Sequence, residues 1–241
     1  MATPTARDRI LRVAVTGAGV LAAVTAVAAV GPAPVPVQAA IQAWYESSAQ
    51  GDFTATGPAP TKPKATADAW TLHFTSAPNA GVAVFREQNK AHSAVQTLQL
   101  TKNGAALPAL TATEYFLASP LVPLGRVAAS GTPYAVIINQ YELPASAAPG
   151  ASGPFYNMTW YHDTDMSAVD GFLTGSYTVT ASDDGITRVC LKVETAGVTP
   201  QGVTDGVVAG TQVSCFRVTA AGKATLESID LPVAGQLLQF R

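Results

Sequence analysis

Residues 175–195, GSYTVTASDDGITRVCLKVET, contain the pattern that decides the fold. The runs at 175–181 and 186–195 are rich in Thr, Val and Tyr, which favour β-strands. Between them lies SDDG at 182–185, a group of residues typical of tight turns. The stretch therefore predicts a β-hairpin, and a neighbouring stretch repeats the pattern.

A second hairpin is predicted from residues 212–219 and 224–231, which flank the turn residues AGK at 221–223. Further upstream, Trp70, Leu72 and Phe74 alternate with polar residues, as expected for a half-buried strand. Short strands with turn signals between them favour a mainly β domain over residues 67–241, an antiparallel β-sandwich or a barrel-like sheet. Residues 85–96 fit a helix or a strand, and residues 134–141 and 155–162 predict further strands.

The two cysteines, Cys190 and Cys215, fall on the two predicted hairpins. The sequence contains no C-x-x-C pattern and no histidine beside either residue, which argues against a zinc site or a redox motif built on them. An even number of cysteines in an exported chain predicts a disulfide. A bridge between them would stabilise the fold by roughly 3–4 kcal/mol in the chain-entropy model.

Residues 1–39 have the features of an export signal that is typical of bacteria. Three arginines, at positions 7, 9 and 12, precede an apolar run at 13–30, and Val37-Gln38-Ala39 fits the small-x-small rule of signal peptidases. We expect cleavage before Ala40 and a secreted or periplasmic protein with no further membrane span. The alternative is an uncleaved anchor, because 18 apolar residues are at the lower limit for crossing a bilayer.

Residues 40–66 are expected to form an N-terminal helix at 40–53 followed by a Pro-rich lead at 54–66. The stretch Ala40-Ile41-Gln42-Ala43-Trp44-Tyr45-Glu46, with Gly51-Asp52-Phe53 after it, resembles the first helix of the nuclear-transport-factor-2-like cone fold. The resemblance implies an alternative fold class, an α+β cone with a curved antiparallel sheet. The Pro-rich residues after Phe53 depart from that family, in which further helices follow.

The charge composition limits the classes of partner. Only 12% of residues are charged and the net charge is −2, so the chain has no basic excess with which to bind a nucleic acid. A chain that is 48% hydrophobic is also too apolar to be disordered throughout.

The aromatic strand at 155–162 is the first candidate binding site. Tyr156, Trp160 and His162 lie on one face of an extended chain, and Asn157 lies on the other. Aromatic rings beside amide groups can bind a glycan or a small apolar ligand. The same residues fit the core and surface of an ordinary strand.

An acidic loop at 163–171 is the second candidate. Asp163, Asp165 and Asp170 offer carboxylate oxygens of the kind that bind Ca²⁺. The loop begins like an EF-hand but has neither the glycine at position 6 nor the glutamate at position 12, and Asp and Ser also occur in ordinary polar turns. A third stretch, the glycine-rich residues 196–210, predicts a long loop that is either functional or a tolerated insertion.

No catalytic signature is present. There is no G-x-S-x-G nucleophile motif and no paired histidines at metal-ligand spacing. We therefore expect an exported, non-catalytic binding or interaction module, whose partner is a protein, a glycan or a small apolar ligand. One alternative is a carrier or enzyme with a cavity lined by Tyr156, Trp160 and His162, and another is a structural subunit of an extracellular assembly. A ligand cavity would favour the carrier or the enzyme.

Overall fold

A computed structural model describes residues 33–46, 49–58, 66–181, 186–233 and 235–241. Most of the predicted export signal, the middle of the Pro-rich lead and the turn at 182–185 lie outside these ranges. The described residues belong to one compact unit, Pro32–Arg241.

The described chain forms two short helices and fourteen strands. In chain order they are α1 (Val37–Tyr45), β1 (Ala49–Thr56), β2 (Ala69–Pro78), β3 (Ala83–Phe85), β4 (Gln88–Lys102), β5 (Ala105–Ala106), β6 (Leu110–Ala118), β7 (Leu121–Ala128), β8 (Tyr134–Gln140), β9 (Ser152–Tyr161), β10 (Val169–Ala181), β11 (Thr187–Ala196), α2 (Pro200–Thr204), β12 (Gly210–Val218), β13 (Ala224–Val233) and β14 (Gln236–Phe240).

The strands form a single antiparallel sheet that curls into a nearly closed barrel. Its order is β1-β2-β4-β6-β7-β8-β9-β10-β11-β12-β13-β14, with β3 and β5 paired beside β4. The two ends of the sheet meet where Thr54 and Arg241 exchange main-chain hydrogen bonds of 3.1 Å in both directions. The barrel-like prediction is therefore confirmed, and both C-terminal hairpins form as β10–β11 and β12–β13.

Alternation of side chains decides which face of the sheet lines the interior. In β2, Trp70, Leu72 and Phe74 are buried while the residues between them are exposed or half-buried. The same period of two runs through β10, because successive side chains of a strand point to opposite faces. The same alternation is present in the sequence, and the strands predicted from it are confirmed.

The predicted helix at 40–53 is wrong in its extent. Helix α1 begins at Val37 and ends at Tyr45, and residues 49–56 form strand β1 instead. Gly51 disfavours a helix interior, and Phe53 is buried between exposed neighbours, as in a strand. Since β1 pairs along its whole length with β2, the sheet overrides the weak helical pattern.

The possible helix at 85–96 is also wrong, because residues 88–102 form the long strand β4. The alternative of an α+β cone is wrong as well: among the described residues the two helices are short, and the strands close toward a barrel. Residues 88–102 form a strand because β4 pairs with both β2 and β6.

Helix α1 lies inside the curve of the sheet. Trp44 stacks on Phe74 of β2 at 5.1 Å between ring centroids and meets Phe216 of β12 edge-on. Tyr45 packs against Phe116 of β6. The helix therefore occupies part of the interior, and its Val37, Ala40 and Ile41 are fully buried.

The predicted disulfide is confirmed. Cys190 and Cys215 are direct partners in the β11–β12 register, and their Cα atoms are 4.0 Å apart. A disulfide fits an oxidising compartment. Within the described ranges no helix is long and apolar enough to cross a membrane.

Candidate functional site

An apolar cavity of about 220 Å³ opens into the barrel interior. Leu98 and Leu100 of β4, Leu173 of β10 and Val193 of β11 form much of its wall. These residues point inward because they occupy the buried phase of their strands. The remaining lining residues are Leu110, Thr111, Ala112, Arg126, Ala128, Pro133, Trp160, Thr195, Gly206, Val207, Val208, Gly210, Gln212, Leu231, Pro232 and Val233.

Trp160 is the lining residue whose hydrogen bonding is incomplete. Its side chain is 7% exposed, and its Nε1–H has no acceptor among the described residues. A buried donor without a partner costs about 1–3 kcal/mol. The ring of Trp160 lines the cavity, while its Nε1 atom is itself buried.

Arg126 of β7 brings positive charge to the same wall. Its Nε donates to Oε1 of Glu114, its register partner on β6, across 3.1 Å. The Glu114 side chain is buried, and this desolvation raises its pKa although the guanidinium partly offsets the effect. The Arg126 guanidinium in the cavity wall is thus paired with the Glu114 carboxyl group, whose ionised form is disfavoured by burial.

Two tyrosines complete the polar interior. Burial raises the pKa of both Tyr45 and Tyr156, and the nearby Glu114 carboxyl raises each further. Both phenols therefore stay protonated at neutral pH. They are neutral hydrogen-bonding groups beside the Glu114–Arg126 pair.

The segment between β11 and β12 forms part of the cavity wall. Gly206, Val207 and Val208 line the cavity directly after α2. The amide of Thr199 donates to the carbonyl of Asp170 at 3.0 Å, and Gly202 lies so close to Asp170 that a Cβ there would meet its carbonyl oxygen at 2.4 Å. The glycine-rich stretch at 196–210 is therefore a docked element of the site's border.

The four residues of the predicted binding site lie in four different places. Trp160 lines the cavity, while Tyr156 is buried against Phe155 and lines a small crevice beside Trp44. Asn157 donates to the hydroxyl of Tyr141 at 3.2 Å. His162 lies outside the cavity wall, where its Nδ1 is 2.6 Å from Oδ2 of Asp205. The structure thus brings one of the four, Trp160, to the cavity.

The predicted metal ligands also separate. Asp163 accepts hydrogen bonds from the amide and hydroxyl of Ser167, which lower its pKa, and Asp165 is exposed. Asp170 is fully buried and lies close to His162 and Asp205, with potential ligand atoms of the three within 4.8 Å of one another. Calcium binding by Asp163, Asp165 and Asp170 stays a prediction.

Sequence reasoning did not single out Arg126, Glu114 or Asp205. The first two are cross-strand partners whose strands, β6 and β7, carry weak patterns, so no local signal pairs them. Asp205 follows the only proline of the 196–210 stretch by five residues and is its one charged residue. A lone charge in an otherwise apolar, glycine-rich loop was the signal available.

Comparisons with known proteins give no relative. No family model matches the chain, and neither a curated protein nor a solved structure matches it. The candidate site is therefore argued from its geometry alone.

Proposed function

We propose that the protein is an exported binding protein that carries a small, mainly apolar molecule in the barrel cavity. The observation that supports this most strongly is the cavity itself, with the unpartnered Nε1–H of Trp160 buried in a wall of Leu and Val side chains. This is the carrier alternative of the sequence analysis, with a cavity that shares Trp160 with the predicted lining but not Tyr156 or His162.

Cavity size limits the ligand. A volume of about 220 Å³ exceeds the about 150 Å³ that holds benzene and is below the range of drug-sized pockets. A molecule of about ten non-hydrogen atoms fits these limits. A short alkyl chain or a substituted single ring has that size.

The wall also defines the polar end of the ligand. Arg126 lines the cavity and carries only hydrogen-bond donors, so the ligand should carry an acceptor oxygen such as a carboxylate, carbonyl or hydroxyl. A cationic group would meet the Arg126 guanidinium at close range and be disfavoured. We infer that the ligand is an apolar molecule with one acceptor group.

The proposed location is secreted or periplasmic. The disulfide between Cys190 and Cys215 supports an oxidising compartment, and the export-signal pattern at 1–39 supports the same conclusion. In such a compartment a carrier would keep an apolar molecule out of water.

Thermal melts with three ligands of equal chain length test the proposal. Octanoate and 1-octanol should raise the melting temperature, because both have an apolar chain and an acceptor oxygen, whereas octylammonium should not. At a ligand concentration about 100 times Kd the expected gain is about 2.7 kcal/mol, which corresponds to a shift of about 5–10 °C.

A cavity-filling variant is the control. Ala112→Phe places a ring where Ala112 lines the cavity, and Ala118→Phe places the same ring on the same strand outside the lining. The Ala112→Phe variant should lose the octanoate shift and Ala118→Phe should keep it. Equal shifts in both variants, or equal shifts with octylammonium, would contradict the proposal.

A further inference from the structure

A cluster formed by His162, Asp170 and Asp205 lies at the end of β9, the start of β10 and the end of α2. Potential ligand atoms of the three side chains lie within 4.8 Å of one another. Nδ1 of His162 is 2.6 Å from Oδ2 of Asp205, and the amide of Gln201 donates to Oδ1 of Asp205 at 3.0 Å. The cluster is separate from the cavity wall described above.

Asp170 distinguishes this cluster from an ordinary group of surface acids. The residue is 0% exposed, and neither carboxylate oxygen has a hydrogen-bond partner among the described residues. The Asp205 carboxylate lies within hydrogen-bonding reach of Asp170, so the two acids can interact favourably only by sharing a proton or a cation. Burying an unpaired carboxylate beside a second one is strongly unfavourable unless a proton or a cation lies between them.

The packing of α2 prevents Asp170 from escaping to solvent. Thr199 donates its amide to the Asp170 carbonyl at 3.0 Å, and Gly202 packs against the Asp170 main chain and Cβ. The buried carboxylate is thus held in place by an element that also supplies Asp205. The arrangement presents two carboxylates and an imidazole to a common point.

We propose that His162, Asp170 and Asp205 bind a divalent cation of the Zn²⁺ class. One imidazole nitrogen with two carboxylate oxygens is a donor set used by Zn²⁺, whereas Ca²⁺ takes six to eight oxygen ligands. Tetrahedral bonds of about 2.0–2.2 Å to Zn²⁺ set the ligand atoms about 3.4 Å apart. Nδ1 of His162 and Oδ2 of Asp205, now 2.6 Å apart, must therefore separate slightly. The cation replaces the hydrogen bond between His162 and Asp205.

The site has an entry path and an open coordination position. The His162 side chain is 42% exposed while that of Asp205 is 9% exposed, so a hydrated ion reaches the cluster from the histidine side. Three protein ligands leave a fourth tetrahedral position for water. Because Asp205 directly precedes Gly206, which lines the cavity, the bound ion also holds this segment of the wall against β10.

Titration of EDTA-treated, dialysed protein with ZnCl₂ tests the proposal. Calorimetry should give one ion per chain, and saturating Zn²⁺ should raise the melting temperature by about 5 °C or more. Asp170→Asn and Asp205→Asn should each abolish both effects. Asp165→Asn, which changes an exposed acid in the same neighbourhood, should keep both.

Two results would overturn the site. One is the absence of stoichiometric binding to the wild-type chain, which would leave a shared proton as the partner of the two carboxylates. The other is a response without the expected selectivity, seen either as an equal Zn²⁺ response in Asp170→Asn, Asp205→Asn and Asp165→Asn or as a larger response to CaCl₂ than to ZnCl₂. The melt of each variant without metal shows whether it folds, and two ligand variants are used so that the loss of one does not end the test.

Discussion

Two polar groups are buried in the interior, the indole N–H of Trp160 and the carboxyl of Glu114. They differ in whether a partner offsets the cost of burial. Glu114 has the guanidinium of Arg126 as a partner at 3.1 Å. Trp160 has no partner among the residues that the structure describes. The difference makes the Glu114–Arg126 pair part of the wall's own structure and leaves the burial of the Trp160 indole N–H without a compensating hydrogen bond.

The raised pKa of Glu114 predicts a pH-dependent stability. Burial raises this pKa above its ordinary value near 4.5, so the folded chain holds the proton more tightly than the unfolded chain does. The stabilisation is complete below about pH 4 and is lost as the pH rises through the folded-state pKa. Since Gln does not titrate, the unfolding free energy of the wild type relative to Glu114→Gln should fall between pH 4 and pH 8.

Urea unfolding of both proteins at several pH values measures this difference. The expected fall is about 1.4 kcal/mol for each unit by which the folded-state pKa is raised. A difference that stays constant from pH 4 to pH 8 would show that Glu114 ionises as freely in the folded chain as in the unfolded one.

Single residues were the least predictable level of the structure. Trp160 was identified because alternation along 155–162 placed it with other aromatics, and it does line the cavity. His162, on the same predicted face, lies instead beside Asp205, 43 positions away. Spacing along a strand predicts which face a side chain occupies, but it cannot predict which distant loop packs there.

At the level of elements, strands with strict alternation were predictable and the weakly patterned ones were not. Apolar residues alternate with polar ones in β2 and β11, and β10 is rich in β-branched and aromatic residues, so local sequence defines these strands. β1 contains Gly51 and a single buried aromatic, Phe53. Its strand conformation depends on pairing with β2 and on contact with the C-terminus, which no local pattern reveals.

Two buried valines, one just before α1 and one at its first position, give a prediction about the N-terminus. Val35 is 3% exposed and exchanges two main-chain hydrogen bonds with Ala147, and Val37 is fully buried. A chain beginning at residue 40 lacks both valines, each of which contributes roughly 1.5–3 kcal/mol by burial. A protein of residues 40–241 should therefore unfold at lower urea concentration than one of residues 33–241.

The comparison also bears on the predicted cleavage before Ala40. Equal unfolding midpoints for the two chains would show that the residues before α1 add nothing to the fold. A lower midpoint for residues 40–241 would mean that cleavage at this position removes part of the core, and the intact mass of the exported protein then shows which N-terminus the cell produces.

The molecule as a whole is defined by closure of the sheet, and this was only partly predictable. The two C-terminal hairpin signals and the alternating strands predicted antiparallel pairing, so a barrel or a sandwich was expected. The pairing of Thr54 with Arg241 joins residues 187 positions apart in the chain, and the placement of α1 inside the curve depends on contacts from β2, β6 and β12.

The cavity is likewise a property of the whole barrel. Residues of β4, β6, β7, β9, β10, β11, β12 and β13 line it together, because α1 fills only part of the interior. No single stretch of sequence contains enough of the wall to predict it. A cavity of this kind is the feature that favours a carrier over a flat interaction module.

The most direct test of the cavity proposal is an NMR titration of the indole N–H signals with octanoate. The chain has three tryptophans, and of these Trp160 is the one that lines the cavity, so Trp70 serves as an internal reference. We predict a saturable shift of the Trp160 indole signal with little change at Trp70. Saturable octanoate binding that leaves the Trp160 signal in place, or no binding at all, would contradict the account.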